Sequence, residues 1–135
     1  MRDFKQQKVW QKSHQLTLDI YQVTNNFPRE ELYGLTNQIR RSSASIPANI
    51  AEGCGRDSEA YLSRFLQIAM GSATELEYHL LLAFDLGILN SCDYENLNRE
   101  TVEVKCMLTS FIKKLKAESY QPWISSAPWP YPAKS

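Results

Sequence analysis

Apolar positions recur every three or four residues in four separate runs along this chain. Val9, Ser13, Leu16, Ile20, Val23 and Phe27 mark one face of a first helix over residues 8–25. Asn25, Asn26, Phe27 and Pro28 end it, because a residue before proline avoids the helical region. A second helix is predicted from Glu30 or Glu31 to Cys54, its acidic first turn suiting the helix dipole. Leu35, Ile39, Ser42, Ile46, Ile50 and Gly53 form its stripe. A third helix starts from an N-cap at Asp57 or Ser58. It keeps Leu62, Leu66, Ala69, Ala73, Leu76, Leu80 and Ala83 in register and stops at Gly87. A fourth follows Asn90 and Ser91, with Tyr94, Leu97, Thr101, Val104, Leu108, Phe111 and Leu115 on one side. Four helices with short connections predict an all-α, antiparallel up-down-up-down four-helix bundle over residues 1–119. Residues 120–135, YQPWISSAPWPYPAKS, hold four prolines and read as a flexible Pro/Trp-rich tail. Its Trp123, Trp129 and Tyr131 are suited to docking on a partner.

Two features exceed what a lone bundle needs. The third helix carries a second face, Tyr61, Phe65, Ile68, Ser72, Glu75, His79, Leu82 and Leu86, apolar over much of its length. Four short helices cannot easily cover both faces, so self-association is expected. The second helix contains IRRSSASIPANIAEG, with Pro47 in its interior. Proline there lacks an N–H and crowds the carbonyl of Ser43, so a kink is expected, with Ser42, Ser43 or Ser45 re-satisfying freed backbone groups. Ala44, Ala48, Ala51 and Gly55 make a smooth strip on which another helix can approach closely.

Composition narrows the class. The 135 residues are 43% hydrophobic and 22% charged, with a net charge of zero, as in ordinary globular domains. No run of apolar residues is long enough to span a bilayer, and the polar N-terminus does not resemble a signal peptide. Cys54, Cys92 and Cys106 are odd in number and fit no zinc spacing, so reduced thiols and a cytoplasmic location are expected. The charge is uneven. Residues 1–56 hold eight Lys/Arg and five Asp/Glu, residues 57–100 two and eight, and residues 101–135 five and two. A local basic face is therefore compatible with zero net charge.

The run FPREELYGLTNQIRRSSASIPANIAEGCGR, followed by FLQIAMGSATELEYHL, resembles the four-helix-bundle family encoded within intervening sequences of bacterial 23S rRNA genes. The resemblance covers residues 4–116 and centres on Phe27 to Gly53. It implies an up-down bundle assembled as a homopentamer, a short barrel around a central channel; the biochemical role of this branch is not established, and a non-enzymatic chain without a cofactor is expected here. A related branch, the accessory protein of diversity-generating retroelements, binds nucleic acid and a reverse transcriptase through a basic surface. This chain is less basic than that role favours, and its tail extends beyond the usual end of the family.

Arg40 and Arg41 are the foremost candidates for RNA or DNA contact, since guanidinium groups bind phosphate bidentately. Lys8, Lys12, Arg56, Lys113, Lys114 and Lys116 can extend that surface. Alternatively, Arg41 pairs with Glu52 or with a neighbour's carboxylate, and the three lysines are a solvated helix end. Ala44, Ala48, Ala51, Glu52, Tyr61, Phe65, Ile68, Glu75 and His79 are candidates for packing between copies. Glu52 with Asn49 reads as a buried polar network. Glu75 and His79, one turn apart, suggest a hydrogen-bonded interface pair or, with His14, two or three metal ligands. Cys54 has no His or Asp partner in its neighbourhood, and EGCGR lacks the P-loop lysine. The expected role is an oligomeric nucleic-acid-binding scaffold or adaptor; the alternative is a protein-interaction ring without nucleic acid.

Overall fold

The computed structural model describes residues 1–118 of the chain, so the tail expected at 120–135 lies outside the described residues. Four helices follow one another: α1 (Lys8–Thr24), α2 (Leu35–Cys54), α3 (Glu59–Asp85) and α4 (Ser91–Glu118), with short 3-10 turns at Phe4–Gln6 and Arg29–Glu31. There is no strand among the described residues. Each helix packs on two others, and the cross-contacts show antiparallel neighbours. Thr17 meets Ser43 and Arg40 meets Thr24 between α1 and α2; Ser45 meets Ser72 between α2 and α3. Lys105 reaches Glu77 between α4 and α3, and Lys12 reaches Glu103 between α1 and α4.

The core consists of the stripes read from the periodicity. All seven α3 positions, Leu62 to Ala83, are buried, with Ile39, Ile46 and Ile50 of α2 against them. In α1, Thr24 is buried while Val23 and Phe27 are only half-buried. Thr24 hides its hydroxyl by donating to the Ile20 carbonyl at 2.7 Å, which lets a polar residue close that stripe. Ser58 caps α3, its hydroxyl accepting from the N–H groups of Ala60 and Tyr61. Gly87 ends α3 with φ +76°, and the N–H groups of Ile88 and Gly87 close onto Ala83 and Phe84. This is the glycine-terminated pattern that occupies the last free carbonyls of a helix.

Two expectations for α2 need correction. The helix does not begin at Glu30 or Glu31. Pro28 leaves the chain extended, a 3-10 turn follows, and Gly34 sits outside the helical region at φ −111° and ψ −111°. The helix starts at Leu35, and the Glu31 carboxylate serves it from outside by accepting from the Leu35 N–H at 3.4 Å. Nor does a serine repair the backbone at Pro47. The hydroxyls of Ser42 and Ser43 turn back to the carbonyls of Gln38 and Arg40. The Ser43 carbonyl, which Pro47 cannot serve, accepts instead from the Thr17 hydroxyl of α1 at 3.0 Å. That hydroxyl also lies 2.9 Å from the Ser13 carbonyl, so one proton is shared between two acceptors. The helix runs unbroken from Leu35 to Cys54.

At Gly53 the α2 backbone comes up against α3. A Cβ there would lie 2.9 Å from the Phe65 Cβ and 3.1 Å from the Leu62 Cδ1. The Phe65 Cβ is fixed to its backbone and cannot yield. Alanine gains at most about 1 kcal/mol of helix propensity, while overfilling costs about 1–3 kcal/mol. Gly53→Ala is therefore expected to lower the thermal midpoint; an unchanged or higher melting temperature would show that the two helices can separate there without loss.

Candidate nucleic-acid interface and assembly face

The antiparallel topology gathers the N-terminus of α1, the C-terminus of α2, the N-terminus of α3 and the C-terminus of α4 at one end. The backbone bond from Arg2 N–H to the Cys54 carbonyl, and the Arg2 ion pairs with Glu59 and Glu118, tie these four together. Residues 1–12, 49–66 and 107–118, which form this end, hold nine Lys/Arg and five Asp/Glu. Residues 18–41 and 75–100, at the opposite end, hold four and nine. A chain of zero net charge is thus folded into a bundle with one basic and one acidic end.

The candidate residues divide along this axis. Lys8, Lys113 and Lys114 are exposed at the basic end, Lys114 lying 4.0 Å from Glu118. Lys116 borders a small mostly apolar cleft of about 230 Å³ with Glu59, Ala60, Ser63 and Leu115. Arg56 is held 2.7 Å from Glu52, and its guanidinium lies over the rings of Tyr61 and Phe65 at 5.7 and 5.5 Å. Lys12 spans to Glu103 at 2.9 Å. Arg40 is spent inside the chain near the other end. It donates to the Thr24 hydroxyl at 2.8 Å and the Asn25 carboxamide oxygen at 3.2 Å, and it covers the Tyr21 ring. Arg41 is exposed beside a polar groove of about 370 Å³ between α2 and α3, with Gln38, Ser42, Ser45, Ser72 and Glu75.

Three expected pairings are corrected. Glu52 bonds Arg56, four residues on, and not Arg41, which lies three turns away on the same helix. Glu52 is exposed rather than buried, and Asn49 donates to the carbonyl and hydroxyl oxygens of Ser45. Glu75 and His79 make no hydrogen bond: Glu75 is exposed, and the buried Nδ1 of His79 has no partner. His14 stacks on Trp10 at 4.9 Å on α1, a helix that does not touch α3, which carries Glu75 and His79. No group of three potential metal ligands comes together among the described residues.

The second face of α3 stays largely uncovered, with Tyr61 52%, Ile68 42% and Leu86 60% exposed. Phe65 and His79 are half-buried there. Around α2, Ala48 is exposed while Ala44 and Ala51 are half-buried. Cys54 is buried and burial pushes its thiol pKa upward, with Arg2 and the amino terminus opposing, so the protonated and unreactive form is favoured. Cys92 and Cys106 are exposed free thiols.

Sequence reading missed one cluster. Between α1 and α4 an open groove of about 560 Å³ is bordered by Asp19, Asn26, Asp93, Asn96, Arg99 and Glu100, among others. Burial, then a hydrogen bond and repulsion from Asp19, push the Glu100 pKa up to about 7, against the pull of Lys12 and Arg99. Periodicity places Glu100 next to buried Thr101 but cannot say that a carboxylate of another helix faces it.

These features define an antiparallel, end-polarised four-helix bundle with an uncovered apolar face. The match to the family model of the 23S rRNA-intervening sequence protein over residues 5–110 is decisive, and the chain belongs to that family. A solved structure of a protein of unknown function, from the S23 ribosomal protein family of Bacteroides thetaiotaomicron, is similar to it. The two are 32% identical with a TM-score of 0.73, over 78% of this chain and 95% of that one. No curated protein matches the chain. No helix among the described residues is long and apolar enough to cross a membrane.

Glu100 generates a pH prediction. Its folded pKa of about 7 stands above the ordinary 4.5. Between those values the unfolded chain releases a proton that the folded chain keeps, so stability is highest below pH 4.5 for this group and declines as pH rises through 7. Glu100→Gln should flatten the fall in melting temperature between pH 5 and 8 and raise the midpoint at pH 8. Parallel pH profiles for the two proteins would disprove this role.

Proposed function

We propose that this protein is a non-enzymatic, self-assembling cytoplasmic scaffold that binds RNA or DNA on the basic end of its bundle. The observation that carries the reading is the separation of charge between the two ends. In a cyclic assembly, every copy contributes its basic end to the same rim, so a phosphate backbone meets the excess Lys/Arg several times over. The family resemblance supports five copies, and its retroelement branch suggests a reverse transcriptase as a further partner. The uncovered Ile68 and Leu86 of α3, with the exposed Ala48 of α2, offer surface for neighbours. The alternative, a protein-interaction ring, draws on Tyr78, Leu81 and Val102, exposed on the α3 and α4 side.

Fluorescence anisotropy against a structured ribosomal-type RNA tests the first reading. Binding should weaken at least tenfold from 50 to 200 mM salt, and the Lys113→Glu, Lys114→Glu double variant should weaken it further. An Arg29→Glu variant at the acidic end should leave it unchanged. Absence of binding at low salt, or binding indifferent to salt, removes the nucleic-acid reading. For assembly, light scattering at micromolar concentration should give a multiple of the chain mass, and Ile68→Asp should reduce it while helicity is kept. A monomeric wild-type protein would contradict the scaffold.

A further inference from the structure

The seam between α3 and α4 leaves apolar surface open along one side. Where α4 stops, the mostly apolar cleft of about 230 Å³ is bordered by Ala60 and Ser63 of α3 and by Leu115 and Lys116 of α4. Further along the seam lies an open groove of about 500 Å³. Met70 and Glu77 form one wall, and Val102, Lys105, Cys106 and Thr109 the other. Ser63, Met70 and Glu77 are seven residues apart on α3, and Val102, Cys106, Thr109 and Lys116 are four, three and seven apart on α4. At that spacing the cleft and the groove lie on one continuous stripe. Val102 is 38% exposed, and Leu81, one turn beyond Glu77, is 41% exposed. The two charged residues of the groove neutralise each other, Lys105 Nζ lying 2.7 Å from Glu77 Oε1. This side of α3 differs from the face assigned to neighbouring copies: Ser72 of that face meets α2, whereas Glu77 meets α4.

The chain itself holds a segment of matching chemistry. Residues 119–133, SYQPWISSAPWPYPA, contain no charged side chain and carry Tyr120, Trp123, Ile124, Trp129 and Tyr131. They continue directly from Glu118, the last residue of α4, beside the cleft at Leu115 and Lys116. Their four prolines restrict the backbone in advance, which lowers the entropy lost on docking. The reach agrees as well. Cys106 lies about 18 Å back along α4 from Glu118, at about 1.5 Å per residue. A proline-rich segment advances about 3.1 Å per residue, so after about three residues for the reversal Trp123 comes level with the cleft, Ala127 with Cys106 and Trp129 with Val102. We propose that residues 119–133 run back along the α3–α4 seam of their own bundle, Trp123 seating in the cleft at Ala60 and Leu115 and Trp129 in the groove beside Val102 and Cys106. The seam is then covered without a second copy, and the other side of α3 stays open for assembly. This inference does not depend on the nucleic-acid reading.

The native thiols report on it. Cys106 borders the groove, whereas Cys92 is exposed at the start of α4. In the full-length protein, iodoacetamide should alkylate Cys106 about fivefold more slowly than in the full-length Trp123→Ala, Trp129→Ala variant, with Cys92 reacting equally in both. Both substitutions lie beyond α4, and circular dichroism checks that the bundle is intact. Val102→Glu should likewise speed alkylation of Cys106 and leave the mass from light scattering unchanged. Ala127→Cys, combined with Cys92→Ser, should form a disulfide with Cys106 that migrates as a single chain on a non-reducing gel. It should form about tenfold faster than in a protein carrying Ala127→Cys, Cys92→Ser, Cys106→Ser and Glu103→Cys, whose second thiol lies on the α1 side of α4. Equal alkylation of Cys106 with and without the tryptophans overturns the proposal. Equal disulfide rates at the two α4 positions, the result for a segment that does not dock, overturn it too. Disulfide-linked dimers place the segment on a neighbouring copy and overturn docking on its own bundle. A fall in scattering mass for Val102→Glu, with Cys106 still protected in the tryptophan variant, assigns the groove to a second copy and also overturns it.

Discussion

The seating of α2 on α3 at Gly53 is the constraint on which the rest depends. Without a side chain at that point, the α2 backbone comes within contact of Leu62 and Phe65. This close crossing fixes the register of the two antiparallel helices, which then brings Ser45 opposite Ser72 at 2.8 Å. It also sets the short turn through Arg56, so that the guanidinium falls on Tyr61 and Phe65. The burial of the apolar stripes of all four helices, Ile46, Ile50, Leu66 and Leu76 among them, supplies the driving force, since the hydrophobic effect scales with apolar area removed from water. Area alone does not choose a register; the glycine contact does.

The proline in α2 illustrates how one helix completes another. Proline inside a helix removes a donor and leaves the carbonyl four residues before it unserved. Here Ser43, whose carbonyl is affected, is itself fully buried, so water cannot take the place of the lost donor. Thr17 of α1 supplies the hydroxyl. The repair couples α1 to α2 near their midpoints, and Arg40 on Thr24 and Asn25 couples them again near the acidic end. Arginine so committed serves the fold.

Charge is arranged by topology. Antiparallel helices carry opposite sequence ends to the same place, so acidic and basic segments that alternate along the chain become separated in space. The basic end gathers cations around aromatic rings. The acidic end gathers carboxyl groups, and at the α1–α4 seam Asp19 and Glu100 come together closely enough to retain a proton near neutrality. The two ends therefore differ in chemistry as well as in sign.

The sequence alone determined the number of helices, the residues of the α3 core stripe and the Gly87 stop, and narrowed the α3 cap to Asp57 or Ser58, because these follow from a 3.6-residue period and from local backbone chemistry. It also located the second α3 face and the family motif. The start of α2 was misplaced because acidic residues before a helix look the same as acidic residues within its first turn, and only the backbone at Gly34 distinguishes them. Pairings of side chains were the least legible part. Glu52 with Arg56 lies within one turn and was available to sequence spacing, whereas Thr17 with Ser43 and Asp19 with Glu100 join residues far apart in the chain. Their contact depends on how the helices are rotated and offset against one another, and that is decided by packing in three dimensions.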